Sequence, residues 1–220
     1  MSFFIVFFLF LQPDGEAVAV DASESAGRSV EAAYVEAPPV IDGILDEACW
    51  QNNPGFADFY ESWPVLCDSA SEDTRVVVLY DEKFLYMGFF CYYSEPDQVV
   101  AWLVPRESVG DGDDITITID TYNDDRNGFR FAFNPLGNQR DSYLSHGGSW
   151  QDNSWDGVWY VETSIEEYGW FAEIAIPSRP SGSNQGRNRT GAYVFPDGWI
   201  TSTKGLCGRI TNRRISVREP

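Results

Sequence analysis

The feature that most constrains this chain is a succession of short apolar segments in which apolar and polar residues alternate. Residues 115–119 read Ile-Thr-Ile-Thr-Ile, and Phe129, Phe131 and Phe133 repeat the same period of two. A period of two sends successive side chains to opposite faces of a strand. The pattern therefore predicts strands with one buried face, and it places the threonines of the first segment on a wetter face.

Two further pairs of apolar segments read as hairpins. Residues 75–80 and 84–91 flank a charged turn, and residues 158–164 and 170–176 flank a second turn. Several short strands joined by turn residues are typical of sandwiches and barrels. Helical periodicity is confined to a turn or two near residues 46–51. The sequence thus predicts an all-β fold, a two-sheet antiparallel β-sandwich.

The start of the chain has the pattern of an export signal. Residues 1–11 are almost entirely apolar, which is too short to span a bilayer but suits a signal-peptide core. Ala17-Val18-Ala19 supplies the small residues that precede a cleavage site, although no basic residue opens the chain. We expect residues 1–19 to be a signal peptide and residues 20–37 a linker, in a secreted, periplasmic or outer-membrane-associated protein. A buried strand or a mis-assigned start is the alternative.

Charge is distributed unevenly along the chain. Residues 178–220 contain eight basic and two acidic residues, a charge of +6, whereas residues 1–177 carry −25. Strand alternation fades at the same point. We therefore place the sandwich at 38–177 and treat 178–220 as an atypical basic tail, either disordered or read from a shifted frame. The net charge of −19 argues against nucleic acid and anionic membranes as partners, because both attract Lys and Arg.

The spacing of the four cysteines does not indicate a disulfide pattern. Cys49, Cys67, Cys91 and Cys207 lack CxxC spacing, so their pairing stays open. Cys49 and Cys91 lie among apolar residues and are expected to be small buried side chains. Beyond the N-terminal run, no segment is long and apolar enough to form a transmembrane helix.

Four blocks, in order, resemble the signature of family 9 carbohydrate-binding modules. They are residues 40–50 (VIDGILDEACW), 76–86 (VVVLYDEKFLY), 113–120 (DDITITID) and 168–177 (YGWFAEIAIP). The resemblance implies a jelly-roll or immunoglobulin-like sandwich.

Three shorter stretches narrow the resemblance. Residues 120–127, 134–139 and 155–156 are similar to a group of bacterial envelope proteins, in which a family-9-like N-terminal domain precedes a large barrel-like region. By this resemblance the chain is part of a larger polypeptide of the cell envelope.

The resemblance also implies a function, the non-catalytic binding of an oligo- or polysaccharide in glycan binding or carbohydrate catabolism. Sugar-binding members of the family clamp a terminal sugar between two tryptophans. Gly110 stands where the first is expected, and the second falls in the C-terminal region that does not match.

Aromatic faces that stack on sugars, and polar groups that fix hydroxyls, are the residues to look for in this chain. Trp50, Trp159 and Trp170 occupy strand or helix positions and are expected in the core. The predicted ligand-binding residues are Trp102, Arg106, Asn134, Gln139, Trp150 and Trp155. Full burial of Trp150 and Trp155 would favour the alternative, a structural or interaction domain without sugar affinity.

Structural calcium is a further implication of the resemblance, since family 9 modules hold it and calcium takes oxygen ligands. The candidate ligands in the acidic loops are Asp111, Asp113, Asp120, Asp124 and Asp125. Neither loop matches an EF-hand, because Tyr122 sits where an oxygen ligand is required. Turn formation is the other common role of aspartate in loops.

Catalytic patterns are missing from the sequence. His146 is the only histidine, and no G-x-S-x-G motif accompanies it. A single histidine and scattered cysteines do not provide the usual zinc sets, and no phosphate loop or dinucleotide motif is present. We predict no enzyme in this chain; an accessory fragment of a glycoside hydrolase, the remaining hypothesis, would place catalysis outside it.

Overall fold

The computed structural model describes residues 29–57, 59–61, 68–69, 72–94, 99–109, 112–121, 126–178, 197–202 and 214–217. The elements within these ranges are β1 (Ser29–Tyr34), α1 (Ala48–Gln51), β2 (Tyr60–Glu61), β3 (Asp68–Ser69), β4 (Thr74–Tyr80), β5 (Phe84–Tyr92), β6 (Ile115–Asp120), β7 (Gly128–Phe133), β8 (Gln139–Ser145), β9 (Trp150–Asp152), β10 (Tyr160–Glu166), β11 (Gly169–Pro177), β12 (Asp197–Ser202) and β13 (Arg214–Val217). The short helix α1 lies where the sequence predicts a helical turn.

The strands form two large sheets and one small one. The six-stranded sheet has the order β10-β11-β5-β4-β1-β13, the five-stranded sheet has the order β12-β6-β7-β8-β9, and β2 pairs with β3. Neighbours are antiparallel, except that β1 runs parallel to both β4 and β13. The prediction of an all-β, two-sheet sandwich is confirmed.

Both predicted hairpins are present. The β4–β5 turn is closed by Asp81, whose Oδ1 accepts the backbone N–H groups of Lys83 and Phe84, each at 2.7 Å. In the β10–β11 hairpin, Tyr160 pairs with Ala175 and Glu166 with Gly169. The side chain of Asp81 therefore helps to hold the register of the first hairpin at its turn.

The main core lies between the two large sheets. The inward side chains of β7 are Phe129, Phe131 and Phe133, and the ring centroids of Phe133 and Phe89 of β5 are 5.6 Å apart. Trp159 and Trp170 are buried in the same core, as expected. The period of two in the sequence thus identifies the buried face correctly.

A second apolar layer covers the outer face of the six-stranded sheet. Leu45 and Trp50, from the segment before β2, pack against outward side chains of β4, β5 and β11. Trp50 lies so close to Gly88 that a Cβ there would meet its Cε3 at 2.9 Å. The expectation that Trp50 is a core residue is confirmed.

The threonine face of β6 is drier than predicted. Thr116 is only 8% exposed, and Ala132, opposite it on β7, is fully buried. Thr118 is half-buried. The prediction of a wetter face is therefore wrong at Thr116, because outward positions of this sheet are also packed, which alternation alone does not reveal.

Three strands lie outside the predicted sandwich bounds of 38–177. Strand β1 falls within the predicted linker 20–37, and β12 and β13 fall within the predicted tail 178–220. Strand β1 pairs with β4 and with β13, and β12 pairs with β6. These strands are far apart in the sequence, so local alternation does not encode their pairing. The domain bounds stay a prediction, and the predicted signal peptide 1–19 lies outside the described residues.

Two of the cysteines can be placed. Cys91 is buried, Cys49 is half-buried, and neither is in a disulfide. Cys67 and Cys207 lie outside the described residues. Within the part of the chain that the structure describes, no helix has the length and apolar character needed to cross a membrane.

Candidate functional site

The outer face of the six-stranded sheet contains a buried carboxylate whose two oxygens are both paired. Glu173 of β11 is fully buried. Its Oε1 accepts Trp50 Nε1–H at 2.7 Å, and its Oε2 accepts the backbone N–H groups of Asp42 and Gly43 at 2.9 and 2.8 Å. Burial outweighs these donors and raises the pKa of Glu173 to about 7. The carboxylate fastens the segment 40–50 onto the sheet.

Arg75 on the same face is also satisfied by the protein itself. Its guanidinium lies 3.6 Å from the centroid of the Phe90 ring, and Nη1 donates to Asn53 O at 3.0 Å. Among the described residues of this face, one buried polar atom, Glu47 Oε2, has no hydrogen-bond partner. With its apolar layer above it, the face has little capacity for a ligand.

The outer face of the five-stranded sheet is different, because two buried polar atoms without a partner lie on facing residues of neighbouring strands. Arg130 of β7 lies opposite Ser142 of β8 in the register. Nη1 of Arg130 donates to Gln151 Oε1 at 2.9 Å, whereas its Nε has no hydrogen-bond partner. Ser142 is 1% exposed, and its Oγ is likewise unpaired. Buried polar atoms are nearly always hydrogen-bonded, so such a pair in one spot indicates a place for a ligand or water.

A second arginine lies beside this pair. Arg140 is two residues before Ser142 on β8, so it is a diagonal neighbour of Arg130 on the same face. Nη1 of Arg140 donates to Val109 O. Burial and the charge of Arg140 lower the pKa of Arg130. Among the described residues, neither arginine contacts a carboxylate.

Trp102 lies in a loop that is tied to the β7–β8 turn. Its side chain is 54% exposed. The buried Asn134 donates from Nδ2 to Trp102 O at 3.0 Å, and Asn138 Nδ2 donates to Val104 O at 2.7 Å. Trp102 is therefore held as an exposed aromatic face, whereas the Asn134 amide is occupied in positioning it.

Arg106 and Gln139 form a charged cluster farther along this loop. Arg106 donates to Gln139 Oε1 at 2.9 Å, to Asp141 Oδ2 at 3.0 Å and to Asp156 Oδ1 at 3.1 Å. Burial lowers the pKa of Arg106, but the negative charges of Asp141 and Asp156 raise it, and the net pKa lies above the ordinary value. Asp141 also accepts Trp159 Nε1–H at 2.8 Å, and its other oxygen is unpaired. The cluster anchors the loop against the edge of β8.

Trp150 and Trp155 have different surroundings. Trp150 is 51% exposed and lies on β9 rather than in a loop. Trp155 is half-buried, and its ring centroid is 4.7 Å from that of the core residue Phe129. Of the predicted ligand-binding residues, the structure brings Trp102, Asn134, Arg106 and Gln139 to one loop and the adjoining strand edge. Trp155 adjoins them, since Arg106 donates to Asp156 Oδ1 and to Gly157 O, whereas Trp150 lies on β9 and pairs with Ser145.

The predicted calcium ligands are not brought together by the described residues. Asp113 is buried, and its Oδ2 already accepts Val100 N–H at 2.9 Å and Tyr93 O–H at 3.3 Å. Burial raises the pKa of Asp113, which disfavours the charged form that calcium requires. Asp111, Asp124 and Asp125 lie outside the described residues. Within the described ranges, no three metal-ligating side chains form a group, and the calcium site stays a prediction.

His146 lies in the turn between β8 and β9. It is exposed and has a φ of 55°, a conformation that turn residues adopt. Its Nδ1 is 2.9 Å from Ser145 Oγ. Sequence neighbours that share one hydrogen bond in a turn do not form a nucleophile–base–carboxylate arrangement.

Sequence reasoning missed Arg130, Arg140 and Ser142. The alternation of residues 129–133 places Arg130 on the face opposite the phenylalanines, but it does not show that this face is half-buried. The signal that could have identified them is the pair of arginines on consecutive strands of an otherwise acidic domain.

Comparisons with known proteins identify the fold. No protein-family model matches the chain, and no curated protein matches it in sequence. A family 9 carbohydrate-binding module from Caldicellulosiruptor kristjanssonii, in complex with cellotriose, has 14% identity and a TM-score of 0.55 over 88% of this chain and 95% of its own. A family 9 module from the same organism in complex with glucose has 13% identity and a TM-score of 0.54, over 88% and 97%.

A third structure has the same fold with a higher score. A Bacteroides uniformis protein described as carbohydrate-binding has 10% identity and a TM-score of 0.62, over 87% of this chain and 99% of its own. Likeness at this identity concerns the backbone, and it spans nearly the whole of each structure. The chain therefore has the β-sandwich fold of the family 9 carbohydrate-binding modules.

Proposed function

We propose that this domain is a non-catalytic carbohydrate-binding module whose ligand lies on the outer face of the five-stranded sheet. The observation that carries the proposal is the pair of unpartnered atoms on that face, Arg130 Nε and Ser142 Oγ. Both atoms have almost no exposed surface in the free protein, so the Arg130 side chain would shift when a sugar binds. Sugar hydroxyls, which donate and accept hydrogen bonds, could then pair with its guanidinium and with the serine hydroxyl. Gln151, which already holds Arg130, supplies an exposed amide beside them.

Trp102 is the aromatic platform that such a site needs. It lies against the β7–β8 turn, at the end of the sheet where β8 and Arg140 begin. An indole offers a flat apolar face for a pyranose ring, and its loop is held in place by Asn134 and Asn138. We assign the stacking role to Trp102 and not to Trp155, which packs on the core.

The similar structures support this proposal, because two of them are family 9 modules in complexes with cellotriose and glucose. We further propose that the domain belongs to a larger secreted or envelope protein that takes part in carbohydrate catabolism. Any hydrolase activity would lie outside this chain.

The experiment is a glycan-array screen of the full chain, followed by calorimetric titration of each hit. We expect a hit whose affinity falls about tenfold in Arg130→Gln and in Trp102→Ala, the usual scale for one charged hydrogen bond or one stacked ring. Trp155→Phe is the matched aromatic control and should bind normally. A folded chain that binds no glycan would refute the proposal.

A second candidate, an interaction domain without sugar affinity, is favoured by one observation. Val100, Leu103 and Leu136 are exposed around Trp102, and Leu103 is 82% exposed. Aliphatic side chains suit a protein partner better than a sugar. If Leu103→Ser leaves glycan binding intact, these side chains are not part of the sugar site; if no glycan binds, this surface becomes the first to examine.

Structural calcium is also a proposal of this account, carried by the sequence resemblance alone. A metal that binds only the folded state raises the unfolding temperature, so a chelator should lower it. An unfolding temperature that does not change with chelator would remove calcium from the account.

A further inference from the structure

We propose that the glycan bound by this domain is acidic, and that Arg130 and Arg140 together bind its anionic group, a uronic acid carboxylate or a sulfate ester. This inference rests on the proposed function and names the class of ligand for the same face. It is carried by the second arginine, for which a neutral sugar provides no counter-charge.

The two arginines lie on adjacent strands with their side chains on one face. Arg130 is opposite Ser142, and Arg140 is opposite Ala132, two residues farther along the same pair of strands. Ala132 has no side chain beyond Cβ, so nothing long separates the two guanidinium groups on β7. Each is held by one Nη1 contact, Arg130 to Gln151 and Arg140 to Val109. Their remaining N–H groups are the donors that bind carboxylates and sulfates in pairs.

The charge of the surroundings makes this pair unusual. The chain has 34 acidic and 15 basic residues, so carboxylates are abundant partners for any arginine. Arg106 has three of them, at Glu107, Asp141 and Asp156. Within the described ranges, neither Arg130 nor Arg140 has one. Two half-buried like charges without a counter-ion repel each other, and an anionic ligand would relieve that repulsion.

Ser142 provides an independent observation at the same place. It is 1% exposed, and its hydroxyl has no partner although it lies opposite Arg130. Leaving a buried hydroxyl unpaired costs free energy. Both atoms lie below the surface in the free protein, so the Arg130 side chain would have to shift when an anionic group binds. A carboxylate or sulfate between the arginines would then accept this O–H together with Arg130 Nε–H.

The test is calorimetric titration of the full chain with three trisaccharides: trigalacturonate, a sulfated galactose trisaccharide, and neutral cellotriose. We expect one acidic trisaccharide to bind at least about tenfold more tightly than cellotriose, since charge-assisted bonds are the stronger ones. Whichever acid binds identifies the anionic group. Raising the salt concentration about tenfold should weaken acidic but not neutral binding.

Variants separate this inference from the proposed function. Arg140→Gln should lower affinity for the acidic trisaccharide about tenfold and leave cellotriose unchanged, whereas Lys83→Gln, an exposed cation in the β4–β5 turn, should change neither. Arg140→Lys keeps the charge, so its affinity for the acidic trisaccharide should lie between those of the wild type and Arg140→Gln. It replaces Arg140→Gln in the test if that variant does not fold. Equal affinities for neutral and acidic trisaccharides, unaffected in the Arg140 variants, would overturn the acidic ligand and leave sugar binding standing. Failure of all three to bind, with no hit on the glycan array, would overturn both.

Discussion

Each outer face of the sandwich has an arginine, Arg75 on one and Arg130 on the other, and the two side chains differ in how fully the protein satisfies their N–H groups. Arg75 lies over the Phe90 ring and donates to the carbonyl of Asn53, under a segment pinned by Glu173. Arg130, on the opposite sheet, has an Nε without a partner beside the unpaired Ser142 hydroxyl. The first face is covered by residues 40–50 of the protein itself, and among its described residues Glu47 Oε2 is the unpaired atom. The other leaves polar groups that a ligand can complete, and this difference locates the proposed binding face.

The largest effect is expected from removing the carboxylate that closes the first face. Glu173→Ala leaves Trp50 Nε1–H and the backbone N–H groups of Asp42 and Gly43 without an acceptor. We expect a loss of about 4 kcal/mol in the free energy of unfolding, measured by urea denaturation, because buried donors are costly to leave unpaired. Glu162→Ala, opposite it on β10 and exposed, is the control and should cost under about 0.5 kcal/mol. Equal losses would mean that Glu173 does not pin the segment.

The pH dependence of stability is the next largest expected effect. The folded-state pKa of Glu173 is raised to about 7, so the folded protein keeps a proton that the unfolded chain releases above its ordinary value of 4.5. Its contribution is fully present below that value and is lost as pH rises through 7, by up to about 3 kcal/mol.

This pH effect is isolated by comparing the wild type with Glu173→Gln in urea titrations across that range. Glu47 and Cys49 lie nearby and remain in both proteins. The variant should have the flatter profile. Parallel profiles would show that other carboxyl groups cause the dependence.

A smaller difference is expected between the stability effects of replacing Arg75 and of replacing Arg130. Arg75→Met loses the contact with Phe90 and the bonds to carbonyl groups, which we expect to cost about 1 to 2 kcal/mol. Arg130→Met removes a half-buried charge with an unpaired Nε and should change stability by less than about 0.5 kcal/mol. Thermal unfolding of the two variants checks this, and a larger loss from Arg130→Met would contradict the account of the open face.

The smallest expected effect is the difference between two of the buried serines, Ser142 and Ser178. Ser178 Oγ donates to Lys83 O at 2.7 Å, so Ser178→Ala should cost about 1 kcal/mol. Ser142→Ala removes a hydroxyl without a partner and should be neutral or slightly stabilising, within about 0.5 kcal/mol. If Ser142→Ala costs as much as Ser178→Ala, its hydroxyl is already satisfied in the free protein, for example by water.

Much of the fold could be predicted from local pattern, and less of the site. Strands β4 to β7, β10 and β11, and the core positions of Trp50, Trp159 and Trp170, follow from alternation and turn residues. Strand β1 pairs in parallel with a strand about 45 residues away in the sequence, which no local period encodes.

The candidate site depends on long-range strand pairing more than the fold does, so less of it could be predicted from the sequence. Trp102 could be named as an exposed aromatic residue because it follows no strand pattern. The juxtaposition of Arg130, Ser142 and Arg140 depends on the register of β7 and β8. That two of their atoms are unpaired depends in turn on what the rest of the chain leaves uncovered, which composition does not reveal.

The most direct measurement is amide hydrogen exchange with and without the glycan that binds most tightly on the array. If the outer face of the five-stranded sheet binds it, added protection should concentrate in residues 128–145, which include β7 and β8, with a smaller effect in the Trp102 loop. Protection confined to residues 40–50, over the six-stranded sheet, or confined to residues 99–109 without β7 and β8, would contradict the central claim.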